Sequence, residues 1–289
     1  MVKINKIIKM FLFETSLYVS LQSALYVIIA SLFFLIPIDL VLVLLVFLNT
    51  FSIYTINKYT DINEDKINNP ERYNFFIKNK RIITILALLS FLISFLISLF
   101  YDLFIIFLTL LPLLLGILYS IKIIPSSKGG IRKSLKDIFL VKNFIISLTW
   151  ATRILYITPV IGFNLQLIGL FFFVFILESI ANIAFDVRDV EGDKLADVKT
   201  LPTRLGVPKT IKILILLDLF LLIFGLFLFV YSIFSFKIMI LSFSMFFYFL
   251  FCINLITKNT NKTVTYDFFI DSITLIILFL TLIIYMLNL

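Results

Sequence analysis

The sequence predicts an all-α, polytopic membrane protein, and three observations carry that reading. Of the 289 residues, 62% are hydrophobic and 15% are charged, where soluble domains hold about 45–50% apolar and about 25% charged residues. Uncharged runs rich in Phe, Leu and Ile recur along the chain, each near the ~20 residues a helix needs to cross a bilayer core. That many apolar helices would leave a soluble protein without a polar surface.

Nine spans are expected, at roughly 15–36, 39–57, 82–100, 103–120, 138–158, 163–185, 210–233, 238–256 and 266–287. Helical period alone cannot divide the apolar blocks, so Pro, Gly and charged residues divide them. Pro37 separates the first pair, Asp102 the third and fourth, and Pro159 with Gly162 the fifth and sixth. Connections after odd-numbered spans are very short, and those after even-numbered spans are longer and charged. The longer ones carry Lys66, Arg72 and Arg81, then Lys128, Arg132 and Lys136, then Arg188, Lys199 and Arg204; the short ones offer Lys237. The positive-inside rule therefore puts the N-terminus and the long loops in the cytoplasm and the C-terminus outside. Lys3, Lys6 and Lys9 resemble the n-region of a signal peptide, but no small-residue cleavage site follows, so the segment reads as an uncleaved interfacial lead. Residues 1–289 read as a single integral membrane domain, multi-pass in the cell membrane.

The net charge of +8 is accounted for by loops that lie beside lipid headgroups, and no soluble domain is left to bind nucleic acid. Cys252 is the single cysteine and sits in an apolar run, which suits a small buried hydrophobe. The chain contains no His. That removes His-ligated metals and His acid–base pairs, leaving Asp, Glu, Lys, Tyr or an oxygen-bound cation for any chemistry.

Two constellations stand out. Asn57, Asp61 and Asp65 lie at i, i+4 and i+8 where the second span leaves the membrane, so on a helix they share one face. Asn182, Asp186, Asp189 and Asp193 lie at i, i+4, i+7 and i+11 at the exit of the sixth span, again on one helical face. Ionised carboxylates on one face repel unless a cation neutralises them. An all-oxygen donor set with one or two carboxylates per ion, the rest water and phosphate, is the habit of Mg²⁺. Two such helix ends would clamp a diphosphate between them. Solvated loop charge explains either cluster alone, but less well two with the same Asn-to-Asp spacing at one membrane face.

The same residues resemble a known family. The Asn57–Asp61–Asp65 pattern is similar to the first signature of the UbiA superfamily of intramembrane prenyltransferases. The Asp186–Asp189–Asp193 pattern, followed by Thr200-Leu201-Pro202 and Leu205-Gly206, resembles the second signature and the run that trails it. Leu118-Tyr119-Ser120, Pro125 and Lys142-Asn143 look like the middle segment. Two departures are visible: Lys58 follows Asn57 where the family often has Asp, and Asn69-Pro70-Glu71-Arg72-Tyr73 replaces an Arg-Pro-x-Pro-Ser-Gly run. The stretches 65–70 and 189–193 look most like archaeal members that make ether lipids, near digeranylgeranylglyceryl phosphate synthase.

The resemblance implies nine helices bundled around a central cavity, and transfer of an isoprenoid chain from its diphosphate to a lipophilic acceptor at a site facing the cytoplasm. It implies Mg²⁺ held by Asp61, Asp65, Asp186, Asp189 and Asp193, with Asn57 and Asn182 orienting carboxylates or ligating directly. Arg72, Lys142, Arg188 and Lys199 are candidate phosphate donors, although topology alone also accounts for basic loop residues. Arg153 and Glu178 are polar within spans, which marks them as candidate substrate contacts. Tyr119 is a candidate to line the path of the developing cation, and Asp218 has no assigned role. The acceptor is geranylgeranylglyceryl phosphate or an aromatic quinone precursor. An ion-coupled transporter is the competing class, but its carboxylates would sit near the bilayer midplane rather than at one edge.

Overall fold

The computed structural model describes residues 16–60, 62, 66, 70–120, 138–195, 198–258, 266 and 269–287. Asp61, Asp65 and Pro125 lie outside the described residues, as do the side chains of Arg72 and Tyr119.

Every regular element described is a helix. They are α1 (Leu17–Phe33), α2 (Leu40–Thr60), α3 (Pro70–Ser98), α4 (Leu103–Ser120), α5 (Val141–Ala151) and a 3₁₀ turn (Thr152–Ile157). These are followed by α6 (Thr158–Ile161), α7 (Leu165–Arg188), α8 (Val190–Leu195), α9 (Leu201–Leu205), α10 (Val207–Val230), α11 (Phe236–Thr257) and α12 (Ile273–Met286). Among the described residues, six stretches are long and apolar enough to cross a membrane: Leu40–Tyr59, Tyr73–Ser98, Val141–Ile161, Leu165–Arg188, Val207–Val230 and Phe236–Thr257. Leu17–Phe33, Leu103–Gly116 and Ile273–Met286 are shorter apolar helices.

Polar residues between the apolar runs cap the helices. Asp39 Oδ1 accepts from the amides of Val41 (2.9 Å) and Leu42 (3.2 Å) at the start of α2. Asp102 accepts from Ile105 N (2.9 Å) at α4, and Asn164 from Leu167 N (2.8 Å) at α7. Each satisfies an amide that the first helical turn would leave bare. Thr200 and Thr203 form a capping box at α9, and the adjoining α10 has Pro208 in its first turn, where a missing N–H costs nothing.

Three boundaries differ from expectation. The third helix starts at Pro70, not near 82, because the charged stretch through Arg81 continues it before the apolar run begins. Pro159 does not end the fifth span; it sits in the first turn of α6, and Gly162, at φ +64°, stops the chain. The fifth span is itself interrupted. After Ala151 the backbone tightens into the 3₁₀ turn, flanked by Thr152 and Thr158, whose hydroxyls bond back to carbonyls three residues earlier (2.6 and 2.8 Å).

The core gathers on α7, where Leu167, Leu170, Phe173, Leu177 and Ile180 are buried. This helix packs against α5 on one side and α10 on the other, while α1 joins α2, α12 and the 3₁₀ turn. The outer helices α3 and α10 present Leu88, Leu92, Leu216 and Phe220 outward, as lipid-facing surfaces do. Gly225 on α10 permits a close approach to Ser242 on α11 that any Cβ would block.

Candidate active site

The site is built where α7 ends and α5 begins. Asp186, in the last turn of α7 and 3% exposed, is held from two consecutive residues of α5. Lys142 Nζ donates to its Oδ1 (2.9 Å) and Asn143 Nδ2 to its Oδ2 (2.7 Å). One turn deeper, Asn182 Nδ2 donates to Ser147 Oγ of α5 (3.1 Å). The i, i+4 spacing of Asn182 and Asp186 thus faces the i, i+4 spacing of Asn143 and Ser147, which is how two packed helices zip polar groups together.

The regular helix does not continue through the whole motif. Regular helix stops at Arg188, Asp189 turns the chain, and α8 begins at Val190. Arg188 lies over the rings of Phe185 (4.8 Å to the centroid) and Tyr266 (6.0 Å) and grips Asp189 through two bonds of 2.8 and 2.9 Å. Asp193 comes back toward Lys142, its Oδ2 4.0 Å from Nζ. That oxygen is buried and receives no hydrogen bond from the described residues. Burial raises the Asp193 carboxyl, Lys142 pulls it back, and the charges of Asp186 and Asp189 push it up again, to about 6.

Deeper in the bundle, five helices and the 3₁₀ turn bring polar groups together. Tyr26 of α1 donates its hydroxyl to Glu178 Oε1 of α7. The Tyr26 ring meets Trp150 of α5 edge-on (6.0 Å), and Trp150 Nε1 donates to the Tyr54 hydroxyl of α2 (2.6 Å). Arg153 projects from the 3₁₀ turn, 3% exposed, with Nη1 3.4 Å from Asn49 Oδ1. Asn49 in turn donates to the Thr109 carbonyl of α4 (2.9 Å).

The structure therefore brings Asp186, Asp193, Lys142 and Asn182 together, and pairs Asp189 with Arg188. Asn57 lies in the last turns of α2 with its Oδ1 beside Gly116 of α4. Lys199 is half-buried ahead of α9. Glu178 and Arg153 lie deeper, at the Tyr26 and Asn49 contacts. Sequence reasoning passed over Asn49 and Tyr26. Asn49 lies eight residues before Asn57 and so on its helical face, a readable signal; Tyr26 is one of 12 tyrosines and carried none.

Among the described residues, no three carboxylates converge into a ready-made metal cage. The second motif supplies half of one: two buried carboxylates, Asp186 and Asp193, with an oxygen of Asp193 lacking a donor. Hard oxygen ligands with spare acceptor capacity fit a divalent cation such as Mg²⁺.

Fold and site together define an all-α integral membrane protein with a carboxylate-rich helix exit. The family model for the UbiA prenyltransferase family matches residues 16–286, and the chain belongs to that family of membrane enzymes. Solved structures agree in fold. One, from a study of digeranylgeranylglyceryl phosphate synthase in membranes, is 22% identical, covers 99% of this chain and 98% of its own, and has a TM-score of 0.62. A UbiA homolog from Archaeoglobus fulgidus bound to GPP and Mg²⁺ is 17% identical over 92% of this chain and 97% of its own, with a TM-score of 0.67. The apo UbiA homolog from Aeropyrum pernix K1 is 9% identical over 93% and 98%, with a TM-score of 0.70. No curated protein matches the chain.

Proposed function

We propose that the protein transfers a prenyl chain from an allylic diphosphate to a lipophilic acceptor, with Mg²⁺ held between the exits of α2 and α7. The observation that carries this is Asp186, fixed by Lys142 and Asn143 beside the under-satisfied Asp193, at the end of the most buried spanning helix. In this reading Asp61 and Asp65 complete the cage from α2, and Asp189 lends charge from its pair with Arg188. The bound A. fulgidus homolog, which holds a prenyl diphosphate and Mg²⁺, supports the ligand class.

The chemistry follows from charge. Breaking the allylic C–O bond leaves pyrophosphate carrying the electrons and a carbocation on the chain. A Mg²⁺ ion held by these carboxylates would neutralise the leaving group. Lys142, Lys199 and Arg72 donate to the diphosphate oxygens, Asn57 and Asn182 orient the carboxylates, and Tyr119 offers a π-face to the cation. The acceptor's nucleophilic atom bonds to the chain and gives up a proton to the departing pyrophosphate. Glu178 and Arg153 contact the organic substrates deeper in the bundle, and the apolar walls exclude water.

The reading carries its architecture: one domain of nine spans around a central cavity, in the cell membrane, with the N-terminus and the site on the cytoplasmic side. The three shorter apolar helices are the extra spans beyond the six long ones. The archaeal-type runs at 65–70 and 189–193 favour geranylgeranylglyceryl phosphate as acceptor over hydroxybenzoate or naphthoate. The test is purified protein in detergent with Mg²⁺ and labelled geranylgeranyl diphosphate, each acceptor supplied in turn. Acceptor-dependent release of pyrophosphate with a labelled lipid product is expected. Full activity in Asp61→Ala and Asp186→Ala would overturn the clamp.

A further inference from the structure

We infer that Lys142 makes metal binding at the second Asp motif conditional on diphosphate, by holding in its absence the place a cation takes between Asp186 and Asp193. The inference rests on the metal-clamp reading above and adds an order of events to it.

The charges around α8 show why. Asp186, Asp189 and Asp193 lie within eight residues and carry three negative charges. Arg188 returns one positive charge to Asp189, bidentate at 2.8 and 2.9 Å. Lys142 returns the second, 2.9 Å from Asp186 Oδ1 and 4.0 Å from Asp193 Oδ2. The ammonium spans the two carboxylates a metal would bridge, and their side chains are 4% and 5% exposed. With Asn143 on Asp186 Oδ2 (2.7 Å), both oxygens of Asp186 are taken. Lys142 must leave Oδ1 before that oxygen can face another cation.

Leaving Asp186 uncovers two buried carboxylates beside each other, and like charges crowd in a desolvated site. An arriving diphosphate changes that. Its oxygens offer the Lys142 ammonium new acceptors, and its charge calls for more cations in the same place. Lys142 passes from carboxylate to phosphate, and the carboxylates open together. Metal and diphosphate then bind with positive coupling, and linkage requires each to tighten the other by the same factor. The arrangement keeps the ordinary cellular metal pool from closing the clamp without substrate.

Thermal unfolding of the detergent-purified full chain during Mg²⁺ titration, with and without inorganic pyrophosphate, tests this. The wild type is expected to need about tenfold less Mg²⁺ for half its stabilisation when pyrophosphate is present. Lys142→Met should unfold at a lower temperature without metal, recover at lower Mg²⁺ than the wild type requires, and lose most of the pyrophosphate shift. Mg²⁺–pyrophosphate association in solution is common to all the proteins and cancels in the comparison. Lys142→Arg should behave as the wild type, and Lys142→Gln as Met, so the test survives if one variant does not accumulate. Equal Mg²⁺ midpoints in wild type and the uncharged variants, with Mg²⁺ still stabilising both, overturn the Lys142 inference and leave the clamp standing. No stabilisation of any protein by Mg²⁺, with or without pyrophosphate, overturns the clamp and this inference with it.

Discussion

Helices α7 and α10 are each 24 residues long and both are apolar enough to span a membrane. In α7, 61% of the most apolar stretch is buried, against 28% in α10. The larger difference is in how each treats its polar residues. On α7, Glu178 meets Tyr26, Asn182 meets Ser147, and Asp186 meets Lys142 and Asn143. On α10, Asp218 is fully buried, and neither carboxylate oxygen has a hydrogen-bond partner. An ionisable residue inside a membrane helix is expensive by default. What separates a site from a bare cost is whether neighbouring helices grow the matching groups, and around α7 they have.

The largest effect expected from this contrast is at Asp186. Replacing it with Ala removes the acceptor of both Lys142 and Asn143 and half the carboxylate pair. Prenyl transfer should fall by at least about 100-fold, the scale of losing one preorganised charge contact to a leaving group. The measurement is pyrophosphate release against enzyme concentration. Asp218→Ala, the matched change on α10, should leave the rate within a few-fold of wild type. Equal losses from the two would erase the distinction.

The next effects are on stability. Gly225→Ala puts a methyl group where Ser242 Oγ stands and 2.6 Å from Ser242 Cβ, so α10 and α11 must separate. Overpacking of this kind costs about 1–3 kcal/mol, read as a lowered unfolding temperature. Ser242→Gly in the same chain should restore most of it, since it removes both clashing atoms; absence of rescue would mean the helices meet elsewhere. Asp218→Leu runs the other way. It exchanges two buried, unpartnered oxygens for methyl groups of the same branching and should stabilise the protein by about 1–3 kcal/mol.

How much of this was legible in the sequence depends on what each feature rests on. Apolar runs and the dividers Pro37, Asp102 and Gly162 are local, and they marked most of the helix boundaries. Where the determinant was tertiary, the reading slipped. The 3₁₀ turn at Thr152–Ile157 lies in a run as apolar as its neighbours, and its purpose shows only once Arg153 is seen against Asn49. The motif Asp186–Asp189–Asp193 was readable as a cluster. Its pairing was not, because Arg188, fixed on Phe185 and Tyr266, grips Asp189 across a break in the helix. Lys142 was readable as a phosphate donor from resemblance. That it sits on Asp186 depends on the chain folding back across a separation of 44 residues, which no spacing rule encodes.

The smallest expected effect is in pH, and it sharpens the contrast at the place where α7 gives way to α8. Asp193 is buried beside two carboxylates, and its carboxyl stands near 6, above the unfolded value of about 3.9. The folded protein without metal thus keeps a proton that the unfolded chain has released. Stability from this group is full below about pH 4 and is lost as pH rises through about 6. A divalent cation reverses the slope, because it favours the charged carboxylate and must displace the proton. Below pH 6 the Mg²⁺ concentration for half-stabilisation should rise, approaching about tenfold per pH unit. Asp193→Asn cannot titrate and should flatten both trends between pH 5 and 8. If wild type and Asp193→Asn track each other over that range, with and without Mg²⁺, the proton belongs to another group, and the bare Oδ2 of Asp193 is not where the cation competes.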